Sequence, residues 1–305
     1  MRVPVLVGPT GVGKTAVATA LARLLPVEVV SADSRQVYRG LEIGTAAPAA
    51  DERSAASYHG VGFVDPRERY SAGRFARDAA AWLEAIAARG RTPLVVGGTG
   101  FYLRALFAGL FAEPELGVER RARLGVWLRA LPPGEPARWA RRLDPGFRGG
   151  GRQREERAVE VALLAGRPLS ALQAARPAPP PPAQAWYAVL TIDRAALHER
   201  LARRTRAMLE AGWVEEVRRV LAGGVPPDAP GLSAVGYREI VAYLEGRLPA
   251  ADLEGAIVQA TRRYARRQET WFRHQLKGPA VRLAAEGPPE ALARLVLDRY
   301  RAAET

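Results

Sequence analysis

The chain is 305 residues long, about half apolar and a quarter charged, which describes an ordinary globular protein of one or two domains and excludes a disordered or fibrous one. It has no cysteine, hence no disulfide framework and no thiolate metal site, and its three histidines (His59, His198, His274) share no ligand spacing. The net charge of +13 fits a protein that meets polyanions, and a chain with two lysines, no asparagine and abundant Ala and Arg fits a base-composition bias equally well.

The opening "MRVPVLVGPTGVGKT" has too short an apolar segment for a signal peptide, and no run approaches a membrane span, so a cytoplasmic protein is expected. "VPVLVG" reads as a buried strand and "GKTAVATALARLL" as the helix that follows it. "VEVVSAD" is a second strand with Asp33 at its carboxyl end. "YSAGRFARDAAAWLEAIAARG" is a helix that starts at an N-capping Ser71 and stops at Gly90. "TPLVVGGTG" is a third buried strand, turning into the helix "FYLRALFAGL". Strands alternating with helices over short connections imply a parallel sheet covered on both faces, with ligands outside the carboxyl ends of the strands. Gly8–Thr15, Asp33–Gln36 and Gly97–Gly100 are therefore expected to share one crevice.

Beyond residue 112 the strand signal stops. Amphipathic Arg/Ala/Leu segments broken by Pro and Gly follow, with 13 Arg against 8 Asp or Glu between residues 113 and 176. "PAPPPPAQ" reads as a stiff polyproline connector, "WYAVLTIDR" resumes with a strand, and the remainder is mostly helical. The expected domains are residues 1–112 as the first part of an α/β core, 113–182 as a helical insertion, and 183–305 as the return to the core with C-terminal helices.

"GPTGVGKT" (Gly8, Pro9, Thr10, Gly11, Val12, Gly13, Lys14, Thr15) fits G-x-x-x-x-G-K-[ST] at every fixed position, after a strand and opening a helix. The fold expected is α/β of the P-loop NTPase-like type: a parallel sheet flanked by helices, with a helical insertion domain. The glycines let backbone N–H groups turn toward a phosphate, and the helix N-terminus adds positive potential. Lys14 neutralises phosphate oxygens, and the Thr15 hydroxyl is the usual Mg²⁺ ligand. An ATP-using small-molecule kinase is one reading. Against it, the strand "TPLVVGGTG" ends without the carboxylate that would face Mg²⁺, and the insertion is large enough to grip a macromolecule. A non-catalytic RNA-binding protein is another reading.

"GPTGVGKT", "SADSRQVYRGLEIGTAAP", "YSAGRF", "PLVVGGTGFYLRAL", "RAVEV", "GLSAVGYREI" and "RRYARRQETWFR" occur in the order found in tRNA dimethylallyltransferases, a family the chain resembles over essentially its whole length. The resemblance implies transfer of a dimethylallyl group from dimethylallyl diphosphate to N6 of adenosine 37 in tRNA, with release of diphosphate. It also implies a cytoplasmic enzyme, expected to be monomeric, that uses Mg²⁺. Asp33 is the expected base for the N6 proton, its other readings being a Mg²⁺ ligand or a helix cap. Thr10 matches a residue near the diphosphate and the amine. Arg194, in "TIDR", is the expected extra cation on the diphosphate. Asp33, Ser34, Arg35 and Gln36, together with Thr99, Arg121, Gln153, Arg154 and Arg157, correspond to tRNA-contacting positions. One departure stands out: where the family has an Asn-Asp pair before the last of these segments, this chain has Gly150 and Gly151. Near the C-terminus "TRRYARRQETWFRHQLK" carries six basic residues against one Glu. Tyr264, Gln268 and Trp271 recur there at helical spacing, which reads first as a core-facing stripe.

Overall fold

The protein is described from a computed structural model, which covers residues 1–110, 116–175 and 181–303. The chain divides into two compact units, Met1–Ala108 with Pro181–Thr305, and Gly109–Pro180. The polyproline connector, up to residue 180, lies outside the described residues, as do residues 111–115 around the expected 112/113 boundary.

The first unit is built on a six-stranded sheet: β1 (Arg2–Val7), β2 (Val27–Ser31), β3 (Tyr58–His59), β4 (Thr92–Gly97), β5 (Gln184–Thr191) and β6 (Ala280–Ala284). All pairings are parallel, in the order β3-β2-β4-β1-β5-β6. The apolar runs of β1, β2, β4 and β5 are buried almost throughout, as required of strands covered on both faces. The edge strands β3 and β6 are short or largely exposed and gave no comparable signal; the helical character expected of the C-terminal segment is interrupted by β6.

The helices are α1 (Lys14–Ala22), α2 (Glu42–Thr45), α3 (Ala50–Ala55), α4 (Ala72–Ala88), α5 (Gly100–Phe107), then α6 (Val118–Ala130), α7 (Glu135–Leu143), α8 (Arg152–Ala165) and α9 (Leu169–Ala175) in the insertion, and finally α10 (Arg194–Glu210), α11 (Trp213–Ala222), α12 (Tyr237–Leu244), α13 (Ala250–His274) and α14 (Pro289–Arg301). Ser71 caps α4 by accepting the Arg74 amide at 3.1 Å. One face of the sheet is sealed by α1 and α14, whose Val17, Leu21, Val296 and Tyr300 pack with Leu6, Val29 and Trp186.

The chain leaves β1, crosses to β2, fills the gap between them with β4, and returns on the other side of β1 as β5. The change of direction falls at β1, and the loop that follows it lies at the carboxyl edge, where open α/β sheets bind ligands. Register finishes the placement: Val7, the last residue of β1, pairs with Gly97, and Ser31 pairs with Val96.

The insertion unit has its own small core, where Leu128, Ala140, Ala158 and Val159 meet Trp139 and Phe147. Residues 149–151 are three glycines at positive φ, and Gly151 is the N-cap of α8, which therefore has no side-chain cap. The Asn-Asp departure thus coincides with a helix start that lacks the usual polar lock.

Candidate active site

Residues 8–15 turn from β1 into α1 with Gly11 at φ 81° and Gly13 at φ 104°, a region that side-chain-bearing residues rarely enter. Helix α1 has no side-chain N-cap, so its first amides are left for an anion. Lys14 Nζ donates to the carbonyls of Gly8 and Pro9, both at 2.9 Å, which holds the ammonium over the loop. Burial pushes the lysine down from 10.5 to about 8; the charge of Asp33 acts upward and that of Arg204 downward. Lys14, Thr15, Ser31, Asp33, Gln36 and Gly97 line one recess together with the apolar Ala18, Val29, Tyr58 and Val96.

Asp33 stands two residues beyond β2. Its Oδ1 accepts the amides of Arg35 at 2.8 Å and Gln36 at 3.4 Å, an Asx turn that fixes the carboxylate. No hydrogen bond to Oδ2 is found among the described residues, so the carboxylate keeps one oxygen for chemistry. Around it lie Arg35 and four groups whose proton affinities are shifted first by burial and then by charges that include the carboxylate's: Lys14, Arg204 and the phenols of Tyr102 and Tyr264. Tyr264 is pushed up to about 12, first by burial and then by the charge of Asp33.

The rest of the 33–36 segment is tied inward. The Ser34 amide donates to Thr99 Oγ1 at 3.0 Å, which joins the ends of β2 and β4. Arg35 Nη1 reaches the Pro230 carbonyl at 3.1 Å and Ser233 Oγ at 3.0 Å, in the "GLSAVGYREI" segment. Gln36 accepts from Ser31 Oγ at 2.8 Å and donates to the Ala46 carbonyl at 2.9 Å. The α2 segment that Gln36 grips is itself held by Glu216. This buried carboxylate accepts the amides of Ile43 at 2.7 Å and Gly44 at 3.2 Å and the Tyr237 hydroxyl at 2.7 Å. Burial pushes the Glu216 carboxyl up. Arg35 and Gln36 therefore spend their side chains on shaping the crevice wall.

Arg194 does not stand where the sequence reading put it. The strand ends at Thr191, Asp193 caps α10 by accepting the amides of Ala195 at 2.7 Å and Ala196 at 3.1 Å, and Arg194 is the exposed first residue of that helix. Ten residues on, after nearly three turns, Arg204 is the arginine whose charge Lys14 and Asp33 feel. The sequence held no signal separating it from its neighbours in "RRTR".

Of the insertion residues, Arg121 and Arg157 both pair with Glu160, a carboxylate 8% exposed, while Gln153 and Arg154 are exposed on the first turn of α8. They belong to the second unit. Gln268 is the residue whose part was not foreseen. It lies on the inward stripe, 6% exposed, and accepts the Thr10 amide at 2.8 Å while donating to the Gly98 carbonyl at 2.9 Å.

Among the described residues no group of three or more His, Cys, Asp or Glu is poised to hold a metal. The recess offers the Thr15 hydroxyl and the Asp33 carboxylate. Mg²⁺ asks for little more, since it keeps waters and draws its other ligands from substrate phosphates, so the donor set fits that ion. Also among the described residues, no helix is long and apolar enough to cross a membrane.

Two family models match the chain: one described as IPP transferase over residues 36–275, and one described as isopentenyl transferase over residues 1–58. A tRNA dimethylallyltransferase from Synechococcus sp. (strain JA-3-3Ab) is 40% identical over 310 residues, covering 99% of this chain and 87% of that protein. One from Thermomicrobium roseum is 44% identical over 276 residues, covering 88% and 82%. Among solved structures, the full-length tRNA isopentenylpyrophosphate transferase from Bacillus halodurans superposes with a TM-score of 0.71 at 28% identity, covering 100% of this chain and 99% of that one. A eukaryotic dimethylallyltransferase acting on tRNA gives a TM-score of 0.78 at 25% identity, covering 99% and 77%.

Proposed function

Since the chain belongs to the IPP transferase family, we propose that its phosphate loop holds the part of a prenyl donor that is discarded. The protein is an enzyme that transfers a dimethylallyl group from dimethylallyl diphosphate to tRNA and releases diphosphate. The acceptor atom in this reading is N6 of adenosine 37, in the anticodon loop, and the compartment is the cytoplasm. The observation that carries the reading is a fixed carboxylate, Asp33, with one oxygen uncommitted in the recess that Lys14 and Thr15 line.

An exocyclic adenine amine is a weak nucleophile because its lone pair is delocalised into the ring. As N6 attacks the donor's first carbon, Asp33 takes an N6 proton, the C–N bond forms, and the C–O bond breaks with its electron pair going to diphosphate. Negative charge grows on the bridging oxygen. In this reading the amides at the start of α1, the Lys14 ammonium and the Arg204 guanidinium stabilise it, and groups held in advance need little reorganisation. Thr10, in the same loop, is the residue proposed to lie near the diphosphate and the incoming amine. Mg²⁺, held by the Thr15 hydroxyl and the donor's phosphate oxygens, would add positive charge against the leaving group. The base must leave its stack to reach Asp33, at about a few kcal/mol, which contacts elsewhere on the tRNA offset. Thr99, Arg121, Gln153, Arg154 and Arg157 are the residues proposed for those contacts, and Asp33, Ser34, Arg35 and Gln36 form the wall the base enters against.

The test uses labelled dimethylallyl diphosphate and unmodified tRNA. Label entering tRNA is the expected result. ATP consumption without label transfer would establish a kinase instead, and tRNA retention with neither chemistry would establish a binding protein.

A further inference from the structure

We propose that Gln268 is a positioning residue that pins the phosphate loop to the Gly97–Gly100 turn, so that helix α13 sets the geometry of the donor site. The inference rests on the reading of that loop as the diphosphate site. Thr10 and Gln268 are 258 residues apart in sequence, yet the Thr10 amide donates to Gln268 Oε1 at 2.8 Å. The same side chain donates through Nε2 to the Gly98 carbonyl at 2.9 Å. One end of the amide thus faces an N–H and the other a C=O, and turning it over would break both bonds at once. At 6% exposure water does not substitute for either.

The turn is shaped to receive this side chain. A Cβ on Gly98 would lie 2.3 Å from Gln268 Nε2, and one on Gly100 would lie 2.2 Å from Trp271 Cδ2. Tyr264, Gln268 and Trp271 share one face of α13. Tyr264 meets Asp33 and Thr99, Gln268 meets the phosphate loop and the turn, and Trp271 covers the start of α5. Three segments far apart in sequence are aligned by one rigid rod. With the Thr10 amide bound outside the loop, the loop's later amides face the diphosphate at a fixed height.

The experiment uses the full chain and measures binding of inorganic diphosphate and of dimethylallyl diphosphate by calorimetry, tRNA affinity by filter binding, and Tm. Gln268→Met keeps the length and removes both hydrogen bonds. It is expected to weaken diphosphate binding about five- to ten-fold, the worth of a hydrogen bond, with tRNA affinity within about two-fold of wild type. Leu253→Ala, about four turns earlier on the same helix and also buried, is the control; it is expected to lower Tm without moving diphosphate affinity. Gln268→Glu keeps the acceptor for the Thr10 amide, loses the donor to Gly98, and brings a negative charge toward the diphosphate. It serves if the Met variant fails to fold, and it too is expected to lose diphosphate affinity. Wild-type diphosphate affinity in either folded Gln268 variant overturns the proposal, as does an equal loss in Leu253→Ala. If the wild-type protein binds neither diphosphate nor the donor, the reading of the loop itself falls, and the role of Gln268 with it.

Discussion

Raising the pH through the range of Lys14 is a perturbation that leaves every atom of the site in place. The lysine is partly buried against the loop, and burial brings it down from 10.5 to about 8. An anionic donor binds the protonated form. Below pH 8 the lysine is already charged and donor affinity is level; above it, binding must first recruit a proton, and affinity falls up to ten-fold per pH unit. Between pH 7.5 and 9 the charged fraction drops from about three-quarters to about one-tenth, so Kd for dimethylallyl diphosphate should rise about eight-fold. A lysine at 10.5 would change it by a few per cent over the same range. The donor's terminal phosphate is already ionised there, since its last proton leaves near pH 6. Calorimetric Kd values at four pH settings, in parallel with Lys14→Arg, provide the assay, because the arginine stays charged throughout and should give a flat profile. The sign for folding is separate: with the folded value below the unfolded one, this group's contribution to stability rises with pH between about 8 and 10.5. A flat wild-type binding profile to pH 9 would refute the argument, since it would mean that Lys14 is not the cation that meets the donor.

Asp33→Asn preserves the oxygen that accepts the Arg35 amide and removes the base; kcat should fall at least about 100-fold with tRNA affinity largely intact, and an active variant would remove Asp33 from the chemistry. Glu28, 5% exposed, binds His59 Nε2 at 2.7 Å and Arg89 Nη2 at 2.7 Å, and the Arg89 hydrogen bond holds its carboxyl below the usual carboxylate value. Its stabilisation is present above about pH 4.5 and lost as the pH falls through the lowered value; Glu28→Gln should cost about 1–3 kcal/mol at neutral pH and flatten the acid limb of a Tm-against-pH curve. Gly97→Ala would drive a Cβ to 2.2 Å from the Ala32 carbonyl oxygen, backbone that cannot yield; a loss above about 3 kcal/mol in a urea titration is expected, and a near-neutral result would show that the β2–β4 spacing relaxes.

Much of the site was legible because its parts are local. The phosphate loop needs glycines at positive φ followed by a helix start, and "GPTGVGKT" states both within eight residues. Asp33 follows a strand, and a strand's carboxyl end is a defined place in a parallel sheet. The inward stripe of α13 was legible too, since a helix advertises its buried face at 3.6-residue spacing. What that face touches was not legible. Gln268 read as part of a core-facing stripe and proved to be the anchor of the loop. Arg194 was the expected cation because it stands just after a strand, but the strand stops earlier and the helix begins there; the arginine whose charge acts on Lys14 is Arg204.

Sequence alone determined the four central strands, the glycine loop that turns from β1 into α1 and the carboxylate beside it, because each depends on backbone torsions and side chains within a few residues of one another. Only the tertiary structure decided which cation faces that carboxylate, which side chain fixes the loop, and that Arg35 and Gln36 are spent on the wall. Those outcomes depend on the order β3-β2-β4-β1-β5-β6 and on how α10 and α13 rotate as they pack, and a periodic pattern carries no record of the surface waiting on the other side.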